Sequence, residues 1–276
     1  VGISSNGSKR HAEYFPDKIL RKIPEPEKSE LEKLFVGDTH GDAYLKCIVN
    51  EIKPFIDSSF STYSDQRHTF ISGASMGALI SLYAFCEYPD VFSRAACIST
   101  HWIGIFEDNE QIPNAIIDYL NDKLPLPEGR KIYFDHGTEG LDYNYSKHQN
   151  KVDDLLTSKG FKSSNLLSRL YVGDNHNEKY WGKRINIPLI FLLSDMICEE
   201  VKPFGKSFKV FPNPAHSRIF IESYKGSSDN TCAIFDATGR MEQVGQYSDR
   251  GIDISQLAPG VYFLWIDLGF GKFIKY

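Results

Sequence analysis

Along residues 1–200, the spacing of apolar residues alternates between that of strands and that of helices. Short apolar runs typical of strands, such as Thr69–Ser72 and Lys131–Phe134, are followed by longer segments whose apolar residues recur at helical spacing. Strands that alternate with helices favour a mostly parallel sheet covered by helices on both faces. The pattern therefore predicts the α/β fold class for this part of the chain.

The same periodicity predicts the other elements of this region. A helix follows Asp42, which we expect to be its N-cap, because Leu45, Ile48 and Ile52 recur at helical spacing. Residues 5–38 are polar and irregular, which is typical of a solvated surface loop, with one short helix expected near Ser29–Leu34. Residues 1–3 are typical of the end of a buried strand. The remaining predicted elements are strands over 94–99 and 168–172 and helices over 109–123, 143–159 and 180–193.

From about Phe208 the pattern changes to short alternating strands separated by turns such as Pro259-Gly260, with no helix between them. This arrangement is typical of a small all-β sandwich. The predicted strands are Lys209–Phe211, Ser217–Glu222, Thr231–Phe235, Gly251–Ile254, Val261–Ile266 and Lys272–Lys275. We therefore predict an α/β domain over 1–200, a linker over 201–207 and an all-β domain over 208–276.

Composition narrows the classes of function. A net charge of −5 gives no reason to expect a nucleic acid or an anionic membrane as a partner, and no apolar run is long enough to span a bilayer. The five cysteines lack the spacing of a zinc site, and their odd number excludes complete intramolecular pairing. Asp38, His40 and Asp42 alternate in a way that a metal site could use, but we predict a helix start there and expect no metal and no cofactor.

The segment Gly73-Ala74-Ser75-Met76-Gly77 lies between a predicted strand and a predicted helix. A G-x-S-x-G sequence in that setting is typical of a nucleophile elbow, a sharp turn that holds a serine in a strained backbone conformation. The residues two positions before and after the serine need little or no side chain at such a turn. The alternative is a glycine-rich turn that contains an ordinary serine.

The ends of three predicted strands carry the residues that a nucleophilic serine requires. Ser75 needs a base, and His176 fits because an imidazole titrates near neutral pH. A carboxylate must then hold the other ring nitrogen, and two carboxylates compete for this role. Glu139 lies nearer to its strand end, whereas Asp142 lies on a loop long enough to reach His176, so we predict Asp142 and keep Glu139 as the alternative. The order serine, acid, histidine is the one that α/β-hydrolases use.

Three further residues are predicted to complete the site. Met76 is expected to donate its backbone N–H to the oxyanion hole, and the second donor is expected on a loop upstream of Val1. Trp102 and His101 lie just beyond a predicted strand end and are predicted to line the substrate pocket. Core packing is the alternative for Trp102.

Six segments within residues 1–195 carry a family resemblance: Gly41–Leu45, Lys53–Asp57, Gly73–Leu79, Tyr88–Phe92, Gly137–Asp142 and His176–Trp181. Together they resemble the esterase family that includes enterochelin, feruloyl and acetylxylan esterases and S-formylglutathione hydrolase. The resemblance implies an α/β-hydrolase fold and ester hydrolysis. It also implies that N-terminal strands and an oxyanion loop precede Val1.

Four segments of the C-terminal region carry a second resemblance: Val210–Ala215, Phe235–Arg240, Ile252–Phe263 and Lys272–Lys275. They resemble the C-terminal sorting domain of type IX secretion in Bacteroidetes. The resemblance implies that the type IX machinery recognises residues 208–276 and that the protein passes the periplasm and the outer membrane to the cell surface or the medium. A carbohydrate-binding sandwich is the alternative. The chain begins at Val1 with neither an initiator methionine nor a signal peptide, which leaves open whether an upstream part precedes it.

The sequence therefore predicts a secreted serine esterase that hydrolyses carboxylic esters through Ser75, His176 and Asp142 by way of an acyl-enzyme. Small-molecule or carbohydrate esters of the acetyl or feruloyl type are the expected substrates. The alternative is a surface or binding protein that keeps the hydrolase fold but lacks half of its oxyanion hole.

Overall fold

The computed structural model describes residues 1–5, 7–197, 208–221, 231–237, 240–248, 250–266 and 269–276. Their contacts form two compact units, the first made of Val1–Glu51 with Ser64–Asp195 and the second of Ile52–Tyr63 with Met196–Tyr276. The predicted linker over 201–207 lies outside the described residues. The predicted domain boundaries therefore stay a prediction.

The first unit is built on a four-stranded parallel sheet. Its strands are β1 (Phe70–Ala74), β2 (Arg94–Ile98), β3 (Lys131–Glu139) and β4 (Leu166–Asn175), and they lie side by side in the order of the sequence. Parallel neighbours need a crossover between them, and a helix supplies each one. The predicted α/β class, a mostly parallel sheet flanked by helices, is confirmed.

The helices are numbered in chain order. They are α1 (Arg10–Tyr14), α2 (Asp17–Leu20), α3 (Glu27–Glu32), α4 (Gly41–Cys47), α5 (Lys53–Ser59), α6 (Met76–Glu87), α7 (Gln111–Lys123), α8 (Ser146–Ser158), α9 (Glu178–Arg184) and α10 (Asn186–Ile197). Within the described ranges, no helix combines the length and the apolar character that crossing a bilayer requires.

Helix α6 is buried on nearly all sides and connects β1 to β2. Ten of its residues are buried, from Met76 to Cys86 with the exception of Gly77. A helix that is apolar all round belongs in a protein interior. The hydroxyl groups of this helix are hydrogen-bonded: Tyr83 donates to Asp42 Oδ1 at 2.6 Å and Ser81 donates to the Gly77 carbonyl at 2.7 Å. The start of α6, next to Ser75, is therefore held on a rigid and fully packed support.

The structure corrects three sequence predictions near the N-terminus. Residues 7–38 are not a solvated loop, because the short helices α1, α2 and α3 bury apolar side chains such as Ala12, Ile19 and Leu31. The prolines between these helices conceal the helical period. Residues 1–3 form no strand, and Val1 is 89% exposed. Helix α4 begins one residue before Asp42, whose backbone N–H donates to a carboxylate oxygen of Asp17 at 2.6 Å.

The second unit contains two antiparallel sheets, which confirms the all-β character of the C-terminal region. Their strands are β5 (Val210–Phe211), β6 (Arg218–Ile221), β7 (Thr231–Asp236), β8 (Met241–Gln246), β9 (Ile252–Asp253), β10 (Gly260–Ile266) and β11 (Gly269–Lys275). One sheet has the order β11-β10-β7-β8 and the other β5-β6-β9. Ile219, Ile234 and Leu264 meet in one buried core that draws on both sheets, as in the predicted sandwich.

Candidate active site

Ser75 lies at the turn between β1 and α6 in a backbone conformation that side chains rarely adopt, with φ 59° and ψ −123°. The surrounding backbone holds it there. Its N–H donates to Ile98 O at 2.9 Å, and its carbonyl accepts the N–H groups of Ala78 and His101 at 3.0 and 3.3 Å. Strain that is fixed in this way is common at functional sites.

The two glycines of the turn are not equally constrained. A Cβ at Gly73 would lie 2.2 Å from the carbonyl oxygen of Gly77, so only glycine fits where the strand passes the helix. A Cβ at Gly77 would meet only the Tyr14 ring, at an ordinary contact distance of 4.0 Å. The close approach thus requires the first glycine of the motif and tolerates a small side chain at the second.

His176 lies between the other two predicted residues. Its Nε2 is 2.8 Å from Ser75 Oγ and its Nδ1 is 2.6 Å from Asp142 Oδ1. An ionised carboxylate only accepts hydrogen bonds, so Nδ1 carries the ring hydrogen and Nε2 of the neutral ring accepts from the serine hydroxyl. The structure therefore brings Ser75, His176 and Asp142 together with the donors and acceptors in matching order.

Asp142, and not Glu139, meets the histidine. Asp142 lies in a 3₁₀ turn over Gly140–Asn144 and is fully buried, whereas Glu139 is exposed and contacts the Thr138 hydroxyl at 3.2 Å. Burial alone would raise the pKa of Asp142. The hydrogen bonds that it accepts from His176, from the Gly137 N–H and from a serine hydroxyl outweigh burial and hold its pKa below the ordinary value.

Aromatic rings enclose the imidazole. Trp181 and Tyr145 meet the His176 ring edge-on, with centroids 5.0 and 5.6 Å away. His101 packs beside it with centroids 6.4 Å apart, and its Nδ1 lies 2.7 Å from the Tyr145 hydroxyl. Burial, with a smaller contribution from His176, lowers the pKa of His101 to about 3, so His101 stays neutral near physiological pH. The rings fix the plane of the His176 imidazole.

The predicted pocket residues both lie inside the protein. Trp102 is 1% exposed, packs against Phe134 and donates its indole N–H to Gln149 Oε1 at 3.2 Å, which places it in the core and corrects its assignment to the pocket wall. His101 is 2% exposed and contacts the His176 ring rather than open space. Helices that cover the sheet can bury a large aromatic side chain next to a strand end. The local sequence does not show whether such a helix lies over the residue.

Met76 is the first residue of α6, so its backbone N–H has no partner within the helix. That N–H lies directly after Ser75, the position of one oxyanion donor in a nucleophile elbow. The start of a helix also carries partial positive charge. Met76 thus stays the predicted donor, and the second donor expected upstream of Val1 stays a prediction.

Sequence reasoning missed two polar residues behind the acid. Ser99 follows β2 and donates its hydroxyl to Asp142 Oδ2 at 2.9 Å, and Arg184 from α9 contacts the same serine. The available signal was that Ser99 is the last residue of a predicted strand, and that Ser75 and His176 also lie close to the ends of predicted strands. Parallel strands bring their carboxyl ends to one edge of the sheet, where such side chains meet.

Comparison with known proteins gives two family matches. Residues 33–192 match the model of the family described as "Putative esterase", and residues 209–275 match that of the "Secretion system C-terminal sorting domain". A curated relative is the uncharacterized protein YbbA of Bacillus subtilis (strain 168), which is 26% identical over 149 residues. The match covers 52% of this chain and 56% of the relative, so the chain spans just over half the length of that protein.

Two solved structures are also similar in part. The enterobactin esterase FES from Shigella flexneri has 17% sequence identity and a TM-score of 0.48, over 56% of this chain and 39% of that chain. An IroE-like serine hydrolase from Shewanella oneidensis has 14% identity and a TM-score of 0.49, over 68% of this chain and 57% of that chain. In both cases a large part of the solved structure has no counterpart in this chain.

Proposed function

The chain belongs to the esterase family whose model it matches, and we propose that it is a serine esterase that cleaves carboxylic esters with Ser75, His176 and Asp142. The observation that carries the proposal is the position of His176, 2.8 Å from Ser75 Oγ and 2.6 Å from Asp142 Oδ1. A serine is a useful nucleophile near neutral pH only beside such a base. The convergence favours an enzyme over a binding protein that merely keeps the fold.

The reaction proceeds in two acyl transfers. Ser75 Oγ attacks the ester carbonyl carbon while its proton moves to His176 Nε2, and the negative charge that forms on the carbonyl oxygen faces the N–H of Met76. The C–O bond to the alcohol then breaks, and His176 returns the proton to the departing alcohol. Water, deprotonated by the same imidazole, releases the acid and restores Ser75. Asp142 orients the ring and stabilises its cationic form.

A fluorophosphonate probe tests this assignment directly. The Ser75 oxygen is expected to form a bond to phosphorus as fluoride leaves, and peptide mapping of the labelled protein will locate the adduct. Ser75→Ala should not be labelled, whereas Ser72→Ala, which lacks an exposed hydroxyl on the same strand, should be labelled like the parent. Labelling at another residue, or labelling of Ser75→Ala, would contradict the proposal.

The pH dependence of kcat/KM follows from the charges around His176. A general base that already carries a proton cannot accept one from Ser75, so kcat/KM is expected to decline with a logarithmic slope of about one on the acid side of the profile. Asp142 stays ionised in this pH range because its pKa is held below the ordinary value, and His101, with a pKa of about 3, stays neutral. Neither group therefore contributes a second protonation to the profile. A slope near two, in a pH range where circular dichroism shows the fold intact, would contradict this.

The C-terminal sorting domain indicates that the protein is secreted or placed on the cell surface and implies involvement of the type IX secretion machinery. We propose that the route crosses the periplasm and the outer membrane. We also propose acetyl or feruloyl esters of carbohydrates as substrates, because an exported esterase meets polymers outside the cell. Release of acetate or ferulate from acylated xylan, compared between the parent and Ser75→Ala, tests the substrate class.

A further inference from the structure

The hydroxyl of Ser99 lies at a buried junction behind the acid of the site. It is within hydrogen-bond distance of three groups, Asp142 Oδ2 at 2.9 Å, Trp181 Nε1 at 3.0 Å and Arg184 Nη2 at 3.0 Å. Ser99 itself is fully buried and has a φ of 44°, a conformation that its surroundings must hold. Three polar partners at one buried hydroxyl leave it no freedom to turn.

The partners determine where the Ser99 hydrogen points. An indole N–H and a guanidinium N–H can only donate, so Trp181 and Arg184 occupy the two lone pairs of the serine oxygen. An ionised carboxylate can only accept. The hydroxyl hydrogen of Ser99 is therefore directed at Asp142 Oδ2.

This direction divides the two oxygens of Asp142 between two tasks. Oδ2 accepts from Ser99 and from the Gly137 N–H at 2.7 Å, while Oδ1 faces His176 at 2.6 Å. Hydrogen bonds to a charged acceptor are short and strong, and two of them on one oxygen fix the rotation of the carboxylate. Without the Ser99 hydroxyl, only the Gly137 N–H would remain on Oδ2.

Arg184 is anchored independently of the serine. Its Nη2 and Nε donate to the two oxygens of Asp135 at 2.9 and 3.2 Å, and its Nη1 donates to Asp174 at 2.6 Å. The Tyr171 ring lies under the guanidinium at 4.6 Å. A bidentate and buried arginine is a rigid donor, so the hydrogen that it aims at Ser99 is fixed in place.

We propose that Ser99 is a positioning residue, which Arg184 and Trp181 orient so that its hydroxyl holds Asp142 in the rotation that presents Oδ1 to His176. The role in turnover rests on the proposed ester hydrolysis. The hydrogen-bond geometry is a property of the folded protein and can be measured without turnover.

The test compares Ser99→Ala and Ser99→Gly with Ser93→Ala. Glycine removes the hydroxyl and also accepts the positive φ without strain. Ser93 is a matched control because it is buried, immediately precedes β2 as Ser99 follows it, and bonds the Arg67 carbonyl at 3.1 Å, at the opposite end of the strand. Titration with a fluorophosphonate counts the active sites in each preparation, so that each measured velocity can be expressed per folded site.

Both Ser99 variants are expected to lose about 10- to 100-fold in kcat for an aryl acetate, the effect of one hydrogen bond to a charged group, with little change in KM. The acid limb of the pH profile should move to higher pH. An Asp142 carboxylate that has lost the Ser99 hydrogen bond attracts the positive charge of the protonated imidazole more strongly. Ser93→Ala should keep the parent profile. Parent values of kcat and of the acid limb in both Ser99 variants would overturn the proposal.

The downfield proton resonance of the His176 ring separates this proposal from the proposed function. This resonance reports the Nδ1–H bond to Asp142 and requires no substrate. A change in its position or width in Ser99→Gly, but not in Ser93→Ala, supports the positioning role even if the parent hydrolyses no ester. An unchanged resonance in Ser99→Gly overturns that role, whether or not the esterase assignment holds.

Discussion

Replacement of Ser75 by alanine is expected to reduce hydrolysis of an aryl acetate by roughly 10⁶-fold, the order of loss found when a triad loses its serine. The hydroxyl oxygen lies 2.8 Å from His176 Nε2, and the described residues place no other hydroxyl on that nitrogen. Alanine has the same Cβ as serine, so the backbone conformation at φ 59° costs no more free energy than in the parent, and the fold should be retained. Initial rates of the purified variant measure the effect.

Ser72→Ala is the control for this experiment because Ser72 is an exposed serine on the same strand, three positions before the nucleophile. It should keep the parent rate. Equal thermal unfolding temperatures of the two variants would show that the loss in Ser75→Ala is chemical. Hydrolysis that survives Ser75→Ala at the parent rate would rule out this serine as the nucleophile.

Replacement of Asp142 by asparagine is expected to reduce kcat by about 10⁴-fold, the loss seen when the acid of a triad becomes an amide. An amide can donate to Nδ1, which moves the ring hydrogen to Nε2 and turns that nitrogen from an acceptor into a donor toward Ser75. The variant should still fold, since asparagine has the shape of aspartate. Single-turnover rates of acylation measure this loss without product release.

Glu139→Gln is the matched control because it makes the same change at the competing carboxylate. Glu139 is exposed and its carboxylate accepts from the Thr138 hydroxyl rather than from the histidine, so the variant should keep the parent kcat. A large loss in Glu139→Gln, together with an active Asp142→Asn, would reverse the assignment of the acid.

The sequence was sufficient for those parts of the molecule that local residue types determine. The strand before Ser75 and the helix after it follow from periodicity. The need for a glycine two positions before the serine follows from the sharp turn, and the structure shows its cause in the 2.2 Å approach at Gly73. The placement of His176 and Asp142 was predictable because parallel strands deliver their carboxyl ends to one edge. The choice between Asp142 and Glu139 depended on loop length, which sequence alone ranks only weakly.

The features that the sequence did not reveal depend on tertiary contacts. Trp102 could not be placed, because a wall residue and a core residue have the same local pattern. Strand β8 was missed because most of its residues are polar or small, and its pairing with β7 comes from the partner strand. The role of Ser99 depends on Arg184, which is 85 positions away along the chain.

Two series of donors end on the same carboxylate. One runs from Ser75 through His176 to Oδ1 of Asp142, and the other runs from Arg184 through Ser99 to Oδ2. Within the part of the chain that the structure describes, every hydrogen-bond partner of Asp142 is a donor, so a proton taken from Ser75 finds no acceptor beyond the carboxylate. It can travel only back toward the substrate. The arrangement thus makes the imidazole a reversible store for a single proton, which is what two successive acyl transfers need.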